Sequence, residues 1–261
     1  MRCARTDNHM HGVRVFHTGF VSRLAQAHSR SSKEQETLPT DPFDIKSYRP
    51  ISKLSLVSKI VERLVVNRIN VHADQYGLFP ARQSAYQQQH STETAVIIVH
   101  NDIVRSTDAG FVSALVLLDL SAAFDTVDHG ILLEVLSERF CVENLELDVY
   151  RSYHTGRTQT FTPPSGSSAP IALTCSVPQR SVIGPKEFIM YTEDIKETID
   201  QFIINHHLYA DDSHLLAHMK INALTEPRRR LETCVERLRD WCSSRLLQLN
   251  PDKTELIWFG S

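Results

Sequence analysis

The sequence predicts an α+β protein, and three kinds of segment predict it. Leu56, Ile60, Leu64 and Ile69 recur at helical spacing, as do Leu231, Cys234, Val235, Leu238 and Trp241. Val112 to Leu118 is rich in apolar and β-branched residues, which suits a strand covered on both faces. The stretch "HHLYADDSHLLAH" (206–218) reads as an apolar hairpin with two adjacent carboxylates, Asp211 and Asp212, at its centre.

Bulk properties bound the rest. The 261 residues allow one large domain or two unequal ones, and 41% apolar with 23% charged residues supports a packed core. With 28 basic against 31 acidic residues the net charge is -3, so any nucleic-acid contact has to come from local patches. Five scattered cysteines without a C-x-x-C pair suggest neither a disulfide framework nor a zinc site, and fit a reducing compartment, cytoplasm or nucleus. No apolar run approaches the roughly 18 residues of a membrane helix; the longest, "ALVLLDL", is interrupted by Asp119.

Along the chain, residues 1–38 mix His, Ser and Arg without periodicity and read as a poorly ordered leader, whose low acid content also fits a mitochondrial transit peptide. Pro39, Pro42 and Pro50 mark an extended entry to the first helix, on which Lys59, Arg63 and Arg68 form an expected basic face. Ser91, Glu93 and Thr94 begin a second helix that runs to about Thr107 and stops at Asp108-Ala109-Gly110. After the strand, Asp128 is placed to cap a helix with Ile131, Leu132, Val135 and Leu136 on one side. Gly, Pro, Ser and Thr between Tyr150 and Ser181 indicate loops and short strands, and "ELIWFGS" after the last helix indicates a strand.

Adjacent carboxylates in an apolar setting repel each other and lose hydration, at a cost of several kcal/mol per ion unless compensated. A hard divalent cation compensates directly, and a site with few carboxylates leaves room for substrate phosphates. Asp119, at the end of the most apolar strand, is the best third carboxylate. The plainer readings stand beside this one: Asp pairs are common in hairpin turns, and an Asp at a strand end often caps the next helix. His214 and His218 are an i, i+4 pair, but they lie in a strand-like stretch without the glutamate of a zinc protease; His206 and His207 read as strand residues.

Six ordered blocks then resemble the reverse transcriptases of non-LTR (LINE-like) retrotransposons: "DIKSYRPISKLSLVSKIVERLV", "ARQSAYQQQHSTETA", "LVLLDLSAAFDTVDH", "SVPQRSVIGPKEF", "LYADD" and "LQLNPDKTELIWFG". The resemblance covers nearly all of 39–261. It implies a right-hand polymerase fold with fingers and palm, the palm an antiparallel sheet packed on helices, divided as 39–118 (fingers-like) and 119–261 (palm-like, ending before primer grip and thumb). By the same resemblance, Asp119 and Asp211 ligate two Mg²⁺ ions, or Mn²⁺ as a substitute, with Asp212 at the same site. Lys253 resembles a general acid to pyrophosphate. Phe124 resembles a steric gate against the ribose 2′-hydroxyl, although by sequence alone it is an ordinary core aromatic. Gln179 matches a residue packing near the nascent base pair, and Arg63 is assigned to the incoming nucleotide. Lys53, Lys59 and Arg68, with Arg228 to Arg230 as a further set, would hold nucleic acid, each run also reading as a solvated helix face. The implied partners are an RNA template, a DNA primer and dNTPs, with no membrane.

Three positions depart from the family's pattern. Arg180 replaces the glycine of "VPQGSVLGP", Lys186 stands at a usually apolar place in a buried helix, and Gln87 replaces an arginine. Arg180 brings volume where a backbone close to nucleotide leaves little room, so the expected activity is weak or absent. The rival reading is an inactive retrotransposon remnant that at most binds RNA.

Overall fold

The computed structural model of the chain describes residues 50–162 and 166–260; the leader expected over residues 1–38 lies outside the described residues. In chain order the elements are α1 (Leu56–Tyr76), α2 (Thr92–Asp108), β1 (Val112–Leu118), α3 (His129–Glu138), α4 (Asn144–His154), β2 (Thr158–Gln159) and β3 (Ile171–Ala172). There follow α5 (Gly184–Tyr191), α6 (Ile195–Asp200), β4 (Asn205–Tyr209), β5 (Asp212–Met219), α7 (Thr225–Ser244) and β6 (Glu255–Phe259), with 3-10 turns at Ala123–Asp125 and Pro251–Lys253. Internal contacts divide the described chain into two units: residues 74–123 with 193–260, and residues 50–73 with 124–162 and 166–192. Residues 118 and 119, the expected border between fingers-like and palm-like stretches, both fall in the first unit.

The first unit is built on a four-stranded antiparallel sheet in the order β4-β5-β1-β6. β1 pairs with β5 from Val112↔Met219 to Leu118↔Ser213, and on its other side with β6 from Ser113↔Phe259 to Leu117↔Glu255. Apart from Ser113 its residues are apolar, because both faces are covered. Ala114, Val116 and Leu118 join Leu215, Ala217 and Met219 against Ile195 and Ile199 of α6 and Leu231, Cys234 and Leu238 of α7. On the opposite face Leu115 and Leu216 meet Val96, Val99 and Ile103 of α2. Burying each large aliphatic side chain contributes about 1.5–3 kcal/mol. At the start of α2 the capping box forms: Ser91 Oγ accepts from the Thr94 amide (3.3 Å) and Thr94 Oγ1 from the Ser91 amide (2.8 Å). The expected C-terminal helix and strand are α7 and β6, and the histidine pairs lie on β4 and β5 as expected.

In the second unit Asp128 caps α3, its Oδ1 accepting from the Ile131 amide at 2.9 Å, and Leu132, Val135 and Leu136 are buried. α4 was not anticipated: of "NLELDVYRSYH" only Tyr150 and His154 are buried, so no apolar stripe announces it. α1 is where expected, but its buried face is different. Glu62, Val66, Ile69 and Ala73 point inward, while Leu56, Ile60 and Leu64 are exposed. Val66, Ile69 and Ala73 supply the apolar burial on that face, and Glu62 is accommodated there because its carboxylate accepts from Ser58 Oγ (2.9 Å) and from the Val182 amide (2.7 Å). Nor do the cations form one face. Lys59 and Arg63 are i, i+4 neighbours, whereas Arg68 lies about 140° further round the helix and lines a cleft with Val65, Ile69, His72 and Tyr150.

Glu62 thereby anchors the segment that leads into α5. Ser181 donates its amide to the Pro178 carbonyl (3.1 Å), closing a turn whose third residue, Arg180, has φ +66°. That is the position type II turns reserve for glycine, so the missing glycine costs backbone strain rather than volume, since the Arg180 side chain is exposed. α5 itself is buried at every residue but the half-buried Pro185, Lys186 included. Its first residue, Gly184, has no room for a Cβ, which would meet Ser181 Oγ at 2.6 Å and the Pro178 carbonyl oxygen at 2.9 Å. Thermal unfolding therefore separates two glycine questions. Arg180→Gly is expected to stabilise by up to about 1 kcal/mol, strain relief outweighing the added unfolded-chain entropy, whereas Gly184→Ala is expected to cost about 1–3 kcal/mol. A loss of stability in Arg180→Gly would contradict the strain assignment.

Candidate active site

Three carboxylates and one ammonium meet at one end of the sheet in the first unit. The last pair of the β4–β5 ladder is Tyr209↔Asp212, so Ala210 and Asp211 form a two-residue hairpin loop, and Leu118↔Ser213 puts Asp119 one step beyond, level with Asp212. Ala210 takes φ +54°, as the first residue of such tight loops often does. Asp119 is fixed by its backbone: its carbonyl accepts from the Asn250 amide at 2.8 Å, next to the Leu120↔Leu249 bridge. Lys253 Nζ stands 3.0 Å from Asp119 Oδ2, and Asn250 Nδ2 donates to the same oxygen at 3.3 Å.

The electrostatics follow from this crowding. Burial, then the neighbouring Asp212 and more weakly Asp119, push the Asp211 carboxyl up to about 6, against smaller lowering by its own backbone hydrogen bond and by Lys253. Lys253 does not cancel the burden, because its side chain is 65% exposed while that of Asp119 is 13% exposed. An ion pair with one solvated partner is worth at most about 1 kcal/mol.

Gln83 and Asn250, which the sequence did not single out, brace the residues of this cluster. Gln83 is buried, and its Oε1 accepts from the amides of Ala85 (2.9 Å) and Ala210 (3.2 Å), so it holds the loop that carries Asp211. Backbone bonds from Leu208 to Arg82 and from Ser84 to Leu208 lay this segment along β4. Nothing local marks a glutamine in "ARQSAY" for that role. Asn250 had a cue, since Asn-Pro favours turns. Its Oδ1 accepts from the Asp252 amide (3.1 Å) while its Nδ2 reaches Asp119.

The structure puts Phe124 and Gln179 together in the second unit. The Phe124 carbonyl accepts from the Val177 amide (2.8 Å), its ring stacks on the buried Phe188 with centroids 4.7 Å apart, and Gln179 Nε2 donates to Asp125 Oδ1 (2.8 Å). Lys53, Lys59, Arg63 and Arg68 are exposed. Arg228 and Arg229 pair with Glu232 (2.8 Å) and Glu226 (3.1 Å) on α7, which favours the solvated-face reading for them.

The donor set fits a hard cation, with oxygen ligands and a buried carboxyl short of positive charge. Yet among the described residues no group of three or more His, Cys, Asp or Glu side chains is arranged to hold a metal ion.

An antiparallel sheet with helices on both faces and acidic residues at the end of its central strand and adjoining hairpin is the palm arrangement of a nucleic-acid polymerase. Comparison with known proteins narrows the class. The family described as reverse transcriptase (RNA-dependent DNA polymerase) matches residues 33–258, and the chain belongs to that family. It is 32% identical over 214 residues to a probable RNA-directed DNA polymerase from transposon BS of Drosophila melanogaster, covering 80% of this chain and 23% of that protein. It is 28% identical over 227 residues to the RNA-directed DNA polymerase from mobile element jockey of the same species, covering 84% of this chain and 24% of that one. The chain thus spans about a quarter of the length of these relatives. In fold it is similar to the telomerase of Candida tropicalis solved with a fragment of telomeric RNA (TM-score 0.57, 12% identity, 88% of this chain, 37% of that one). It is also similar to the telomerase of Candida albicans (TM-score 0.53, 13% identity, 77% and 34%). Reverse transcriptases as a family depend on divalent metal.

The raised Asp211 carboxyl has a consequence for stability. Its folded value near 6 lies above the ordinary 3.8, so the folded chain holds this proton more tightly than the unfolded one. The contribution is favourable below about pH 4 and is lost as pH rises through 6, to the order of 3 kcal/mol. Without divalent metal, Asp211→Asn is expected to melt above the native chain at pH 8 and level with it at pH 4; equal melting at both would contradict the shift.

Proposed function

We propose that this chain is the catalytic part of an RNA-directed DNA polymerase, which joins a dNTP to the 3′-hydroxyl of a DNA primer paired with an RNA template. The observation that carries the reading is the Asp119–Asp211–Asp212–Lys253 cluster, in a chain whose family carries out this reaction. Asp119 and Asp211 would hold two Mg²⁺ ions, with Asp212 adding charge from the next residue. When bound, such ions lower the pKa of the attacking hydroxyl and offset the charge of the triphosphate.

The protein's own groups do the rest. The Gln83-braced loop and the Asn250 amide hold the carboxylates in place, which removes reorganisation from the reacting state. Lys253, largely in solvent on its turn beside Asp119, would donate a proton to the leaving pyrophosphate. Phe124, backed by Phe188, would close the space a ribose 2′-hydroxyl needs, and Gln179, held by Asp125, would pack near the nascent base pair. Arg63 would meet the triphosphate, while Lys53, Lys59 and Arg68 offer exposed charge to backbone phosphates.

A second reading, binding of template and primer without catalysis, is favoured by Arg180, which forces a non-glycine residue to φ +66° beside Gln179. Extension of oligo(dT) on poly(rA) with Mg²⁺ separates the two. The native chain is expected to incorporate weakly, Arg180→Gly more strongly, and Arg180→Gly with Asp211→Ala at least about 10³-fold less than Arg180→Gly alone. Tight binding of the template–primer with no incorporation by Arg180→Gly would establish the second reading.

A further inference from the structure

The turn after α7 is built to keep hold of one oxygen of Asp119. Asn250 receives the amides of Asp252 at its Oδ1 (3.1 Å) and of Lys253 at its carbonyl (3.3 Å), and that carbonyl also accepts from Thr254 Oγ1 (2.8 Å). From this braced turn two donors converge on Asp119 Oδ2, the Lys253 ammonium at 3.0 Å and the Asn250 amide at 3.3 Å. Asp119, level with Asp212 at the end of the sheet, therefore has one oxygen already engaged, and among the described residues no group of three or more His, Cys, Asp or Glu side chains is arranged to hold a metal ion.

The two donors are not alike in what holds them. Asn250 is tied through both ends of its side chain, whereas Lys253 is 65% exposed at the end of a flexible stem. A solvated ammonium gives up its partner readily, and a divalent ion brings twice its charge to a site that includes a buried carboxyl.

We propose that Lys253 is an internal counter-ion that occupies Asp119 until a divalent cation displaces it, so that metal loading and release of the lysine are one event. This rests on the metal-site reading above and adds a consequence that reading lacks. The lysine lowers the protein's affinity for metal, and the same ammonium, once displaced, is free for phosphate oxygens at the moment the site becomes competent. Metal and lysine are thus coupled in binding, apart from any role in turnover.

Titration of Mn²⁺ into the full chain, followed by loss of the free-ion paramagnetic resonance signal, tests this without catalysis. Lys253→Met is expected to bind Mn²⁺ about 3- to 10-fold more tightly than the native chain, the order expected for removing one charge from beside the ligand. Lys253→Arg, which keeps the cation, is expected to stay within about 2-fold of native. The substituted side chain is mostly solvated, so both variants should fold. Equal or weaker Mn²⁺ binding by Lys253→Met would overturn the proposal. An Asp119→Asn control distinguishes the failures. If it weakens Mn²⁺ binding while Lys253→Met does not tighten it, only the counter-ion role falls; if it has no effect in either background, the metal site itself is misplaced and both readings fall.

Discussion

Asp211 and Asp212 stand on consecutive residues of a hairpin whose strands are buried, and their mutual repulsion is the constraint around which the sheet unit is arranged. The Asp211 carboxyl is pushed up to about 6 first by burial and then by its neighbour. A loop under such repulsion would open if it could, but it is prevented from both sides. β5 is zipped to β1 from Ser213 to Met219, and Gln83, on the segment lying along β4, accepts the Ala210 amide. Apolar cover on both faces of β1 supplies the cohesion that lets the charge pair persist. The stored cost is of the kind found where a site is organised before its ligand arrives.

The second unit solves a different problem, that of holding an irregular segment without a sheet to carry it. The turn from Pro178 to Ser181 is fastened by a buried glutamate on α1, by Asp125 on Gln179 and by a helix whose first residue must be glycine. Glu62 is sufficiently buried that its carboxylate needs both of its donors. The charge lies inside because the turn offers an amide that no strand or helix satisfies. Arg180 breaks the pattern locally, at a backbone position where glycine would be unstrained.

Much of this was legible in the sequence. Ser91 and Thr94 mark a cap, Asp128 marks another, and the run from Val112 to Leu118 marks a doubly covered strand, because each is a local pattern with one structural solution. The four polar residues of the site were legible through their order along the chain, not through any single motif. What stayed hidden depended on partners distant in sequence. Glu62 sits on the buried face of α1 satisfied by an amide 120 residues away, and Gln83 reaches Ala210 across 127 residues. α4 carries too little apolar surface to declare itself, and the role of Asn250 as a brace for Asp119 needs a contact over 131 residues.

On the proposed reading the carboxylate cluster is a cation site left unbalanced by the protein's own charges. Melting temperature as a function of Mg²⁺ concentration at pH 7.5, in the native chain and in Asp119→Asn with Asp211→Asn, tests it most directly. An ion that binds only the folded state stabilises it by an amount that grows with the logarithm of its concentration once above the dissociation constant. The native chain should therefore melt progressively higher as Mg²⁺ is raised, and the double variant should not respond. A native melting temperature indifferent to Mg²⁺, or the same rise in both proteins, would contradict the claim.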